Sequence, residues 1–223
     1  WEQRNYDKSL EERKQSIKIF ESSGFKEDLI LEYSNLSSDL KGLKRFRESK
    51  DALKKGLTIL ETLPADDPFT SKNLYENLGD LYRVMGKYDS AEFYFNKALK
   101  VSLGADGKRN EEAAEVYGHR GKLFMDRNQF QAALQDFQQM LVSTIPDFNA
   151  DDIFVIPTIQ NESPYFLSII AAHFNKADAF VSWYKVEKNP DYLDHALKNY
   201  QAAYHQLMVA RNAIGDELSK PLL

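Results

Sequence analysis

The chain of 223 residues contains no cysteine and little proline or glycine, with seven and ten residues respectively. Without cysteine it can form no disulfide, no thiolate metal site and no cysteine nucleophile. Because proline and glycine are the strongest helix breakers, their scarcity leaves long stretches free to form helices. No apolar run approaches the roughly 18–20 residues of a membrane-spanning helix, so we expect no membrane partner.

Concentrated positive charge is also lacking. The 29 Lys and Arg residues are dispersed among 34 Asp and Glu residues, and the net charge is −5. A nucleic-acid partner is therefore not expected. No signal peptide is visible, and because the chain begins with Trp1 and not with Met, we expect the native N-terminus to lie further upstream. A cysteine-free chain suits the cytoplasm and the periplasm equally, and we favour the cytoplasm.

The patterns of catalysis and cofactor binding are missing as well. There is no glycine-rich phosphate loop and no Gly-x-Ser-x-Gly sequence. The four histidines do not have metal-ligand spacing; they are His119, His173, His195 and His205. The sequence therefore predicts a protein that is not an enzyme and that holds no cofactor and no metal.

The main positive feature is a repeated pattern centred on residues 74–99. It combines small, aromatic and leucine positions in the order Tyr75-x2-Leu78-Gly79-x2-Tyr82, then Gly86-x-Tyr88-x2-Ala91-x3-Phe95-x2-Ala98-Leu99. The same columns recur at a spacing of 42 residues on both sides, as Ser37, Gly79 and Gly121; Tyr33, Tyr75 and Tyr117; Phe46, Tyr88 and Phe130; and Ser49, Ala91 and Ala133. Four parallel columns at one spacing indicate an internal repeat.

Each repeat predicts two antiparallel helices of roughly 17–20 residues. Because one unit cannot bury its apolar face alone, neighbouring units must stack. The predicted fold is all-α, an α-α superhelix of antiparallel helix pairs with a concave groove. Its parts are a partial repeat at 1–24, repeats at about 25–66, 67–107 and 108–143, a proline-containing connector at 144–164, and a C-terminal helical pair at 165–223. Three roles remain open for the connector: a cap, a strap along the array or a hinge.

Two boundaries follow from helix signals. Pro64 and Pro68 are expected to close the first full repeat. In the C-terminal pair, Asp191 is expected to cap the last helix and Gly215 to end it.

The 42-residue units resemble the tetratricopeptide repeat family, and within it the long-repeat branch seen in kinesin light chains. The resemblance covers about residues 29–141. It implies a non-catalytic scaffold that binds an extended peptide or a protein segment in its groove.

The C-terminal third resembles the segment that precedes the CHAT domain in bacterial, Bacteroidetes-type, TPR–CHAT proteins. The residues that carry this resemblance are Lys176-Ala177, Ala196-Leu197-x2-Tyr200-x2-Ala203, Arg211 and Ser219-Lys220. It implies an alternative role, the regulatory or substrate-recruiting arm of a caspase-like peptidase whose catalytic domain is not in this sequence. With no cysteine present, the catalytic dyad of that family has no counterpart here.

Partner-binding residues are expected on the first helix of each repeat, because in the tetratricopeptide family that helix lines the groove. Amide side chains donate and accept at once, so a column of them is suited to a peptide backbone. The predicted groove residues are Asn35, Ser38, Glu76, Asn77, Asp80, Arg83, His119 and Lys122. Three alternatives remain open: these positions are only solvated, the groove is occupied by another part of the same protein, or the array associates with itself.

Overall fold

The computed structural model describes residues 2–63, 68–104, 107, 110–158 and 163–218, with side chains between residues 8 and 211. Over these residues the chain forms nine α-helices and no strand. The helices are α1 (Glu2–Ser23), α2 (Lys26–Gly42), α3 (Phe46–Leu60), α4 (Pro68–Val84), α5 (Tyr88–Leu103), α6 (Glu111–Asp126), α7 (Phe130–Thr144), α8 (Phe166–Glu187) and α9 (Asp191–Leu218). The predicted all-α repeat fold is confirmed.

The chain divides into two compact units, residues 1–104 and 105–223. In the first unit α2 pairs with α3 and α4 pairs with α5, while α1 packs on α2. In the second unit α6 pairs with α7, and α8 pairs with α9 and packs on α7. The division lies inside the predicted array, at the turn that follows α5.

The two helices of each repeat are joined by the same tight turn. Lys44, Gly86 and Asn128 all have a positive φ, of 59°, 70° and 55°. The next backbone N–H closes the turn in each case: that of Arg45 donates to Leu40 O, that of Lys87 to Tyr82 O and that of Gln129 to Phe124 O, each at 2.8 Å. This is the hydrogen bond of a Schellman ending, which favours glycine or asparagine at the left-handed position.

The helices of a pair cross at a residue that has little or no side chain. A Cβ added to Gly79 would lie 2.7 Å from the Phe95 ring, and one added to Gly121 would lie 2.4 Å from Cε1 of Phe137. Both phenylalanines are fully buried. The glycine column therefore exists because an aromatic ring of the second helix lies directly on the backbone of the first.

In the first full repeat, different residues occupy the two positions of this helix crossing. Ser37 occupies the glycine position and Leu53 the phenylalanine position, and the smaller leucine leaves room for the serine. The hydroxyls of Ser37 and Ser49 lie 2.7 Å apart, and Ser49 Oγ donates to Ser37 O at 2.9 Å. Both serines are buried, and because their hydroxyls bond to each other, neither is left without a partner.

The connector packs along the second unit. Ile153 is buried in the core that α7 and α8 share with α9. Gln138 Nε2 donates to Ala150 O at 2.8 Å, and Lys176 Nζ donates to Val155 O at 3.2 Å. Phe154 lies 5.8 Å, centroid to centroid, from the ring of Phe180. The described connector is therefore a strap, tied to α7 by the side chains of Gln135, Gln138 and Gln139 and to α8 by that of Lys176.

Several predicted boundaries were wrong. Among the helices of the three repeats, α2 and α4 have 17 residues, within the 17–20 expected, whereas α3, α5, α6 and α7 are shorter, with 15 or 16. The last helix, α9, continues through Gly215 to Leu218, since a glycine inside a helix is tolerated at a cost of about 1 kcal/mol. The start of α9 is capped by Asn189 and not by Asp191: Asn189 Oδ1 accepts a hydrogen bond from the Asp191 N–H at 3.1 Å. The predicted roles of Pro64, Ser219 and Lys220 lie outside the described residues.

Replacing Lys44 with glycine is expected to stabilise the first unit by about 1 kcal/mol, because a left-handed conformation costs a residue with a Cβ about that much. Chemical denaturation followed by circular dichroism measures the change. Gly86→Ala, at the equivalent turn, is the matched control and should destabilise by a similar amount. If both variants changed the free energy of unfolding equally and in the same direction, the left-handed residue would not be what limits the stability of this turn.

Gly121→Ala is expected to lower stability by roughly 1–3 kcal/mol, because the gain in helix propensity is smaller than the cost of overpacking against Phe137. Adding Phe137→Leu should recover part of the loss, since Leu53 lies opposite Ser37 in the first repeat. A double-mutant cycle from thermal unfolding measures the coupling. If the stability changes of Gly121→Ala and Phe137→Leu were additive, the Phe137 ring would not be the reason that position 121 requires glycine.

Candidate partner-binding site

The predicted groove residues of the first unit lie on α2 and α4, which pack side by side. Positions Asn35 and Ser38 follow one face of α2, and Asn77 and Asp80 follow the matching face of α4. A spacing of three residues keeps each pair on one side of its helix. Asn35 is exposed, and the other three are half-buried.

A polar ladder joins the two helices. Ser38 Oγ donates to Asn77 Oδ1 at 2.9 Å, and Asn77 Nδ2 donates to Asn73 O at 2.9 Å. An amide carries two N–H donors and an oxygen with two lone pairs. Asn77 therefore keeps hydrogen-bonding capacity beyond these two bonds, on a surface that solvent reaches.

The ladder continues as a charged cluster one turn further along. The Asp80 carboxylate accepts from Lys41 Nζ and, at 2.9 and 3.0 Å, from the Arg83 guanidinium. Burial acts to raise the pKa of Asp80, but the hydrogen bonds and charges of Lys41 and Arg83 outweigh it, so the pKa is lowered. Asp80 thus holds Lys41 of α2 and Arg83 of α4 together at this end of the α2–α4 surface.

The remaining predicted residues do not join this ladder. Glu76 is buried and pairs with Lys72 at 3.0 Å, one turn away on α4, so its carboxylate does not face the surface that carries Asn77. His119 is half-buried and Lys122 is exposed, both on α6 of the second unit. The structure thus brings together Ser38, Asn77, Asp80 and Arg83, with Asn35 beside them on α2.

The second unit holds buried polar contacts of its own. Arg120 forms two hydrogen bonds with Asp136, at 2.7 and 2.8 Å, and its guanidinium lies over the rings of Tyr117 and Phe124. Asp136 is buried. This bidentate pair joins α6 to α7 and explains why arginine stands in the usual leucine position before Gly121.

A second polar cluster lies on α8. Lys176 is fully buried, and its Nζ donates to Gln138 Oε1 and Val155 O; burial lowers its pKa to about 7. His173 is also fully buried, and its Nδ1–H donates to Asn199 Oδ1 at 3.1 Å. Burial lowers the pKa of His173 to about 4. These contacts hold α7, α8, α9 and the connector together.

Neither cluster has the arrangement of an active site. Lys176 and His173 are enclosed, with no access for a substrate. In the part of the chain that the structure describes, no group of three His, Cys, Asp or Glu residues is placed to hold a metal ion. Among the same residues, no helix has both the length and the apolar composition that a membrane span needs.

Comparison with known proteins identifies the repeats. Residues 71–141, which include α4 to α7 almost entirely, match the tetratricopeptide repeat family. Residues 71–141 therefore have the pattern of tetratricopeptide repeats. The Gly79–Phe95 and Gly121–Phe137 crossings are thus the small-residue and aromatic positions of that repeat. No curated protein sequence matches the chain at a significant level.

Solved structures show the same fold at low sequence identity. BtubC (BKLC) from P. vanneervenii has a TM-score of 0.60 at 12% identity, over 98% of this chain and 94% of that chain. MamA has a TM-score of 0.56 at 13% identity, over 94% and 93%. A Podosopora anserina protein described as a kinesin light chain with nearly identical TPR-like repeats has a TM-score of 0.61 at 14% identity, over 89% of each chain. At such identity the likeness concerns the tetratricopeptide fold alone.

Sequence reasoning missed the contacts that use long polar side chains in the interior. Lys72, Asp136, Gln138 and Lys176 are all buried, and none was expected to hold helices together. One signal was available: Lys72 and Glu76 are four residues apart, the spacing of an ion pair on a helix. The others contact partners 12 to 38 residues away, which no local pattern reveals.

The second unit is expected to lose stability as the pH falls from 7 to 4. Because the folded pKa of His173 lies below the unfolded value of about 6.5, the unfolded state takes up the proton first. The shift to about 4 corresponds to roughly 3 kcal/mol lost at pH 4. Denaturation at several pH values measures it, and His173→Gln should lose about that much less than the unmodified chain.

The control for this experiment is His205→Gln, at an exposed histidine of α9. It should leave the pH dependence unchanged. Identical pH profiles for His173→Gln and His205→Gln would contradict the assignment.

Proposed function

We propose that the protein is a non-catalytic scaffold that binds an extended peptide or protein segment along the α2–α4 surface. The observation that carries the proposal is the solvent-facing polar ladder of Asn35, Ser38 and Asn77. Its amides can donate to and accept from a peptide backbone whatever the peptide's side chains are. In this proposal three 42-residue repeats form the scaffold, and His119 and Lys122 are the binding residues that α6 contributes within the second unit.

The charged end of the ladder would orient the bound peptide along the α2–α4 surface. Lys41 and Arg83 both contact the Asp80 carboxylate, and both are half-buried at this end of the ladder. The proposal places an acidic side chain of the ligand near these two cations, and neutral backbone contacts near Asn35 and Asn77. Because the cations are half-buried, salt screens this contact less than it screens a fully exposed pair.

Replacing Asn35 and Asn77 together with alanine is expected to weaken peptide binding by at least about tenfold, since each lost hydrogen bond costs roughly 0.5–1.5 kcal/mol. The probe is a displayed library of random 12-residue peptides, selected on the unmodified chain and then measured by fluorescence anisotropy. Selected peptides should be enriched in Asp or Glu toward one end.

Gln131→Ala is the matched control, because it removes an exposed amide from α7, a second helix of its pair. It should bind selected peptides as the unmodified chain does. If no peptide is selected above background, or if the Asn35→Ala/Asn77→Ala variant binds as well as the control, the ladder is not a binding surface.

A second candidate is the regulatory arm of a CHAT-type peptidase. The observation that favours it is that Lys176, a residue of the C-terminal resemblance, ties the connector to α8. The coding sequence that follows Leu223 separates the two candidates. A caspase-like domain with a histidine and a cysteine would support the regulatory arm, and a stop codon directly after Leu223 would exclude it.

A further inference from the structure

An apolar stripe runs along the exposed side of α9. It consists of Leu193, Leu197, Tyr200, Tyr204 and Leu207, at alternating spacings of four and three residues. The residues that face α8 lie one position earlier and include Ala196 and Ala203, both buried. The two leucines before Tyr200 and the two residues after it are exposed. Tyr200 itself is half-buried at the border with α8, where its hydroxyl donates to Asp178 at 2.5 Å. Among the described helices, α9 packs only against α8.

The corresponding stripe of α7 is buried. When Ala196 is aligned with Ala133, Leu197 and Tyr204 correspond to Leu134 and Leu141. Leu134 and Leu141 are fully buried in one core with Ile169 of α8, whereas Leu197 and Tyr204 are 55% and 62% exposed. The α9 stripe therefore has the composition of a surface that another helix covers, and no described helix covers it.

The part of the stripe from Leu197 to Leu207 is symmetrical about residue 202. Reversing its direction places Leu197 opposite Leu207 and Tyr200 opposite Tyr204. A twofold axis through this point would thus match leucine with leucine and tyrosine with tyrosine between two antiparallel copies. Self-complementarity of this kind is what an isologous dimer interface requires.

Charge at the two ends agrees with an antiparallel arrangement. Asp191 and Asp194 begin α9, and Arg211 lies one step beyond Leu207 on the line of the stripe. All three side chains are exposed. An antiparallel pair brings the acidic end of each helix to the arginine of the other, whereas a parallel pair places like charges together.

The exposed apolar area is of the size that a modest dimer buries. Phe174 of α8 extends the stripe sideways, with its ring 5.9 Å from that of Tyr200, and Leu167 of α8 is 68% exposed. With these two, six large apolar side chains on α8 and α9 are 41–68% exposed, and at roughly 150–250 Å² for a whole aromatic side chain they expose on the order of several hundred Å² per copy. A standard interface buries about 800 Å² per partner.

We propose that α9 pairs with α9 of a second copy of this chain, antiparallel about a twofold axis near residue 202, through the α9 stripe. Leucine and tyrosine side chains form the centre of the interface, and the Asp191–Asp194 end of each helix meets Arg211 of the other. The dimer does not depend on the α2–α4 surface and would display two copies of it.

Sedimentation equilibrium of the 223-residue chain tests the proposal. A dimer with a micromolar Kd is expected, and Leu197→Glu should weaken it at least 100-fold because the glutamate side chains would be desolvated. Val186→Glu is the matched control, at an apolar residue of α8 that is 65% exposed and lies off the stripe. It should dimerise like the unmodified chain. A chain that stays monomeric at about 200 μM, or a dimer equally tolerant of both substitutions, would overturn the proposal.

The absence of cysteine allows a test of direction. In the antiparallel pair the two copies of residue 201 lie about 3 Å apart along the axis, and the two copies of residue 194 about 24 Å apart, at 1.5 Å per residue. Gln201→Cys should therefore be joined to itself by a short bis-maleimide, and Asp194→Cys should not. Cross-linking at both positions, which a parallel pair predicts, or at neither would refute the arrangement.

Discussion

Each repeat depends on a close approach of two helices at a point where only one of them can carry a large side chain. Phe95 lies on Gly79 and Phe137 on Gly121, at distances that leave no room for a Cβ. The first repeat keeps the same separation by exchanging phenylalanine for Leu53 and glycine for Ser37. The crossing is thus a joint property of two positions, and a substitution at one is acceptable only with a matching change at the other.

Polar contacts hold the stacked helices in register around these crossings. The Ser38–Asn77 and Lys41–Asp80 contacts join α2 to α4, Arg120 and Asp136 join α6 to α7, and Lys176 joins α8 to α7 and the connector. Buried polar groups are costly unless their partners are in place. They therefore penalise slipped arrangements that apolar packing alone would tolerate, and on α2 and α4 the same residues form the surface proposed to bind a peptide.

The repeat columns predicted the helix pairs well, because glycine, alanine and aromatic positions report the local crossing of two neighbouring helices. Helix ends were predicted less well. Gly215 does not end α9, because one glycine costs a helix only about 1 kcal/mol. Glu76 was placed on the groove by its column, yet it is buried beside Lys72, since a column fixes a residue's position on the helix but not what covers it.

The sequence by itself determined the all-α repeat fold and the small-residue crossings, because both arise from contacts between helices that are adjacent in the chain. Only the tertiary structure decided which polar side chains reach solvent and which bind one another. It also showed that the line of residues buried on α7 is exposed on α9. Those outcomes depend on which helices from distant parts of the chain pack against a given face, and no local pattern carries that information.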